Sequence, residues 1–178
     1  MVELMLAMAI GMIVMGMAMG GVSGMIKTSR ADGGLATAAS GLRAARELSV
    51  GSRRNVRLSF GTNTIMNTRV EYCAAPCTPT TTLVKTTTLE GRAEFLLQPN
   101  LPDTPDTFGK ATATAFGPLT PPMFTTDGSF INSNGDILNG TLFISVPNDP
   151  LSARAITIFG ATGAMRLWKW NGRAWVEA

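Results

Sequence analysis

The chain opens with an unbroken apolar run. From Leu4 to Ile26 there are 23 residues without a charge, about 34 Å of helix at 1.5 Å per residue, against about 30 Å for a bilayer core. One carboxylate, Glu3, sits at the edge of this run. The pattern predicts a transmembrane N-terminal helix over residues 1–26. A secretory signal would need basic residues before the run and a small-residue cleavage site after it; here Lys27 and Arg30 follow instead. Gly16, Gly20 and Gly24 stand four apart, a spacing that lets apolar helices approach closely in lipid and that lipid also simply tolerates.

Beyond residue 26 the period stays helical but becomes one-sided. Leu35, Ala38, Leu42, Ala45 and Leu48 recur every three or four residues, the stripe of a helix lying on a core. Arg43, Arg46 and Glu47 fall off that stripe, on a solvated face. This amphipathic continuation is predicted for residues 27–52. After Ser52 the period changes to two: NVRLSFG, NTIMNTRVEY, TTLVKTTTL and RAEFLLQ read as short strands. The proline-rich stretch 99–122 reads as an irregular loop. Strand patterns resume in MFTTDGSFIN, TLFISVP, ARAITIFG and MRLWKWN, with Asn134-Gly135 and Asn171-Gly172 as hairpin turns. The expected fold is α+β: a long N-terminal helix, its first half transmembrane, packed on an antiparallel β-sheet domain of about seven or eight strands over residues 53–178.

Composition narrows the chemistry. Eight of the eleven methionines lie in the first 25 residues, and there is no histidine. That removes the usual proton shuttle and commonest metal ligand, and with them the standard Ser-His-Asp and Cys-His arrangements. No catalytic residue, cofactor or metal is expected. Cys73 and Cys77, in EYCAAPCTP, cannot close a zinc site without further ligands. They form either a small disulfide, favoured in an oxidising compartment, or two free loop thiols. Asn132, Asn134 and Asp136 lack the spacing and distal glutamate of a calcium loop and suit a hairpin turn better. The net charge of +3 permits an acidic partner without requiring one.

Two stretches carry a family resemblance. MVELMLAMAIGMIVMG resembles the N-terminal helix of type IV pilins and type II secretion pseudopilins, whose mature chains begin Phe-Thr-Leu-Val/Ile-Glu-Leu. Val2-Glu3-Leu4-Met5 match that motif; Met1 stands where the family has leucine. In the C-terminal half, FTTDGSF, NGTLFISVP and AITIFGATGAMRLWKW resemble the sheet of the GspH/FimT family of minor pseudopilins and minor pilins. The resemblance implies a pilin-like fold and a structural subunit of a type II secretion or type IV pilus system, assembling into a filament or its tip complex. It implies other pilin or pseudopilin subunits and the inner membrane as partners, with a single-pass anchor and a periplasmic globular domain. It assigns Glu3 to assembly, where it pairs with the N-terminal amine of a neighbouring subunit. That fits the cost of leaving a carboxylate unpaired in low dielectric.

Some FimT-like members bind DNA for natural transformation through Gly-Arg-x-Arg. Here Gly163-Ala164-Met165-Arg166 keeps the glycine and the last arginine but has alanine at the first. Lys169 and Arg173, interleaved with Trp168, Trp170 and Trp175, supply further cations beside aromatic rings, a combination suited to flexible nucleic acid. Arg166, Lys169 and Arg173 are therefore the candidate DNA-binding residues. On an alternating strand, however, Arg166, Trp168 and Trp170 share one face and Leu167 and Lys169 the other, which equally suits ordinary packing.

Overall fold

The computed structural model describes the backbone of residues 2–71, 80–116 and 121–178; along the first half of the helix, side chains are described at Met8, Met12 and Ile26, then continuously from Thr28. Among the described residues one α-helix, α1 (Val2–Ser52), spans 51 residues. Ten strands follow: β1 (Val56–Phe60), β2 (Thr64–Glu71), β3 (Thr80–Thr88), β4 (Thr114–Ala115), β5 (Met123–Phe124), β6 (Phe130–Ile131), β7 (Gly140–Ile144), β8 (Arg154–Phe159), β9 (Ala164–Trp170) and β10 (Trp175–Glu177). They form two five-stranded sheets, ordered β3-β2-β1-β5-β6 and β10-β9-β8-β7-β4. Every pairing within them is antiparallel. The α+β class with one helix on antiparallel sheets is as expected; the division into two sheets is not. RAEFLLQ contributes only a bridge from Glu94 to Ser145, while β4 and β10 carry too few residues to show a period.

The apolar stripe lands where its spacing puts it. Leu35, Ala38, Leu42 and Ala45 are buried, together with Ala31 and Ala39. Leu35, Ala38, Ala39, Leu42 and Ala45 pack against Val56 and Leu58 of β1, Ile65 of β2, Leu142 and Ile144 of β7, and Ile156 and Ile158 of β8. Both sheets thus share one helix as their inner wall. A second apolar cluster lies on the opposite face of the second sheet: Leu101, Phe143, Ala153, Ala155, Trp168 and Trp175. Leu101 belongs to the proline-rich stretch, which lies over that face. Asp103 ties the stretch together by accepting from the backbone N–H of Thr104 (2.7 Å) and of Gly109 (2.9 Å).

Arg46, expected on a solvated face, is half-buried and crosses from the helix to both sheets. Its Nε donates to the Gly128 carbonyl (3.1 Å) and its Nη2 to the Thr162 carbonyl (2.9 Å). Arg43 and Glu47 are exposed, as the pattern implied.

The transmembrane placement is corrected. Among the described residues no helix is long and apolar enough to cross a membrane, so a single-pass inner-membrane protein with a periplasmic domain is not supported. From Thr28 onward the same helix carries Arg30, Asp32, Arg43, Arg46 and Glu47, charges that are costly in hydrocarbon. What the helix does have is a division of contacts. Among its described residues none before Ala31 is buried: Met8 and Met12 are 65% and 73% exposed, and Ile26 is 45% exposed.

Gly163, in the β8–β9 turn, has φ +62°, and a Cβ there would overlap the Gly128 carbonyl and lie 2.8 Å from Arg46 Nε. Gly163→Ala is expected to destabilise the fold by about 2–3 kcal/mol through left-handed strain and loss of this close approach. Chemical denaturation checks this; an unchanged midpoint would show that the turn can open without cost.

Candidate interaction surface on the last strands

The alternation of β9 divides the candidate cations. Arg166 pairs with Thr157 across β8 and β9, and Lys169 pairs with Arg154. Arg166 therefore faces the proline-rich cover, whereas Lys169 faces the helix.

On the cover side the organising group is Asp106, whose side chain is only 7% exposed. Its Oδ1 accepts from Arg166 Nη1 at 2.9 Å. Its Oδ2 accepts from Thr157 Oγ1 at 2.6 Å and Trp168 Nε1 at 3.2 Å. Three donors converge on one buried carboxylate, which satisfies it. The Arg166 guanidinium also lies 5.0 Å over the Phe159 ring, and Phe108 meets that ring edge-on at 5.0 Å. Arg166 is thus exposed at its tip yet neutralised and held in place.

On the helix side, Arg154 is almost fully buried and donates from Nε to Asp32 Oδ1 at 2.8 Å. Its Nη1 donates to the carbonyls of Leu151 (3.1 Å) and Ala153 (2.9 Å). Lys169 Nζ lies 3.4 Å from the same Asp32 oxygen. Burial pushes the Asp32 carboxyl up, and the hydrogen bond and charge of Arg154 pull it down. With the added charge of Lys169, the carboxyl is held below its ordinary value.

Arg173 stands apart. It is exposed in the β9–β10 turn, where its backbone N–H donates to Asn171 Oδ1 at 2.9 Å. The structure therefore does not gather Arg166, Lys169 and Arg173 into one patch; two are paired with acids on opposite faces. Ala164, at the position of the family's first arginine, is exposed. It borders a cavity of about 220 Å³ lined by Arg43, Arg46, Glu47, Gly163 and Met165.

The remaining candidates are quickly placed. Glu3 lies on α1, its side chain outside the described residues, and Cys73 and Cys77 lie outside them altogether. The FINSNGDI stretch is a turn: Asn132 Oδ1 accepts from the N–H groups of Asn134 (2.9 Å) and Asp136 (3.0 Å), and Gly135 has φ +92°. Among the described residues no three His, Cys, Asp or Glu side chains converge to hold a metal.

Asp106, Asp32 and Arg154 were not among the candidates drawn from the sequence. Asp106 sits in a run, PDTPDT, that reads as solvated loop, and its partners are 51 to 62 residues away. Arg154 did carry a signal: an arginine inside the apolar strand ARAITIF must find a partner if that strand is buried.

Family models, curated proteins and solved structures give no match to this chain.

The Asp32 cluster makes a pH prediction. A carboxyl held lower in the folded state stabilises the fold fully above the unfolded carboxylate range, near pH 4, and loses that contribution as pH falls through the folded pKa. The stability difference between wild type and Asp32→Asn should be constant from about pH 5 to 7 and shrink below about pH 4. Denaturant titrations across that range would measure it, and a difference independent of pH would remove the ion pair from the account.

Proposed function

We propose that the chain is a pilin-like structural subunit of a type II secretion or type IV pilus system, building into a filament or its tip complex. The observation that carries this reading is the division of α1. Its second half, from Ala31, is the inner wall of the two-sheet head, while the apolar side chains described before it, Met8, Met12 and Ile26, are exposed. About 43 Å of helix precedes Ala31 at 1.5 Å per residue. Exposed apolar side chains such as Met8, Met12 and Ile26 on one helix are the mark of an interaction site. Neighbouring copies of the same helix, or those of related subunits, would cover them. The Val2-Glu3-Leu4-Met5 motif supports the same reading.

In such an assembly Glu3 has a defined task. A carboxylate buried among apolar helices is costly unless it is paired, and the N-terminal amine of an adjacent subunit supplies a partner. The reading assigns no catalysis, cofactor or metal to the chain.

DNA capture through the last strands is the alternative. It draws on the exposed Arg173 and on Lys169, whose side chain is 40% exposed. Ion pairing opposes it: Arg166 is neutralised by Asp106 and Lys169 shares Asp32 with Arg154. Affinity for nucleic acid scales with the phosphates that cations can reach, and here few are free to reach them. Wild type should therefore bind labelled DNA weakly, with a shallow dependence on salt, and Ala164→Arg should steepen that slope by about one unit only if this surface meets phosphate. Tight binding by wild type at physiological salt would favour DNA capture over a purely structural role.

For assembly, Glu3→Ala is expected to leave the melting temperature of the head unchanged while reducing co-purification with other filament subunits at least about tenfold. Co-purification at the wild-type level would reject the role of Glu3.

A further inference from the structure

The two sheets end in four edges of very different length. The edge strands β4 and β6 have two residues each and β10 has three, whereas β3 has nine. Eight of the nine β3 residues are exposed and Thr87 is half-buried. Leu83 and Val84 are large apolar residues on this open strand, 57% and 45% exposed.

One side of β3 bonds β2; among the described residues no strand bonds the other. The register tells which groups face outward. Leu89 donates its N–H to the Asn63 carbonyl, and Thr87 and Lys85 stand opposite Ile65 and Asn67. Antiparallel pairs alternate in direction, so Thr86 and Thr88 turn their backbone groups to the open edge. A long edge of this kind is a template for a further strand.

The sequence of β3, TTTLVKTTT, reads almost the same in both directions. We propose that β3 docks a second copy of this chain, strand to strand and antiparallel, about a two-fold axis through the middle of the strand. A two-fold contact requires that each residue pair occur twice, once in each sense. Here Thr81 of one copy stands opposite Thr88 of the other, Thr82 opposite Thr87 and Leu83 opposite Thr86, and cross-strand threonine pairs are favourable. The β-bulge between Asn67 and Thr68 shifts the alternation by one residue, so Thr81 and Leu83 turn outward in the first half of β3 where Thr86 and Thr88 do in the second, and an axis between Val84 and Lys85 sets these outward groups opposite one another. Leu83 and Val84 become covered at the centre.

Lys85 is the single charge of the strand, and pairing brings it near its own copy. This makes the contact weak at low salt and stronger as salt screens the two ammonium groups. It also guards the edge against unselective pairing. The proposal goes beyond the filament reading and does not depend on it.

Light-scattering mass of the full chain, over a range of protein and salt concentrations in a mild detergent that shields the apolar helix, tests this. Wild type should pass from monomer to dimer with concentration, more readily at high salt. Lys85→Thr should lower the dissociation constant about tenfold and flatten its salt dependence. Thr86→Pro removes an outward N–H, a position where an edge strand tolerates proline, and should leave a folded monomer. Glu3→Ala should dimerise like wild type, which separates this contact from helix-driven assembly. A wild type that stays monomeric, or a Lys85→Thr that is no tighter, overturns the proposal, and so does a Thr86→Pro that dimerises like wild type. Should Thr86→Pro fail to fold, Lys85→Thr alone decides.

Discussion

The architecture depends on how closely one face of α1 can be approached. Ala31, Ala38, Ala39 and Ala45 interrupt the leucines of the stripe, and all are fully or almost fully buried. Gly34 takes the approach further, since a Cβ there would overlap that of Ala93. At Gly41 a Cβ would sit 3.3 Å from the Thr87 side chain. Small residues at these points let backbone and sheet meet at native packing density, and larger ones would force the sheets outward. Because the same face serves both sheets, it also sets where they meet. That junction is filled by phenylalanines: Phe60 stacks on Phe116 at 5.4 Å, Phe116 meets Phe130 edge-on at 5.4 Å, and Phe130 contacts Phe124 at 5.0 Å.

What the sequence made legible was local. The helical stripe, the change of period after Ser52, the Asn-Gly turns and the alternation of β9 all depend on neighbours a few residues apart, and each appears in the structure. The two-sheet division depends on pairings such as Arg57 with Met123 and Thr114 with Leu142, which leave no mark within a short window. The opening apolar run suggested a membrane anchor because it was read as a segment by itself. It is instead the leading part of a continuous helix whose second half is charged and packed on the head. The candidate cations were legible as residues but not as a site. Arg166 and Lys169 are two strand positions whose acidic partners, Asp106 and Asp32, come from a loop and a helix remote in sequence.

The two sheets differ in how their outer faces are finished. That of the second sheet is roofed by residues 96–113. The roof is fixed at several points besides Asp103 and Asp106: Lys110 Nζ donates to the Leu101 carbonyl at 2.8 Å, and Trp175 Nε1 donates to the Pro102 carbonyl at 3.0 Å. Prolines at 99, 102 and 105 limit the conformations that the segment loses on docking. The outer face of the first sheet has exposed Met66 and Leu83 and ends in the open strand β3. Polar cross-links and tryptophans thus finish one side of the molecule, and threonine-rich strands are left on the other.

The ion cluster at Asp32 acquires its meaning from its place along the helix. Asp32 is one residue beyond Ala31, the first buried position among the described residues, so Arg154 and Lys169 grip the helix at that end of its contact with the sheets. About 43 Å of helix lies beyond that grip, and a rotation of about 5° there would move the far end by about 4 Å. Arg46 supplies a second fixed point some 14 residues on, about 21 Å along the axis. Two clamps separated by several turns define a direction, which one clamp alone cannot do. Lys169, one of the cations that looked in the sequence like a surface for a polyanion, thus joins Arg154 and Arg46 in fixing the helix against the sheets. In an assembly built by helix packing, that direction decides which neighbours the helix can reach.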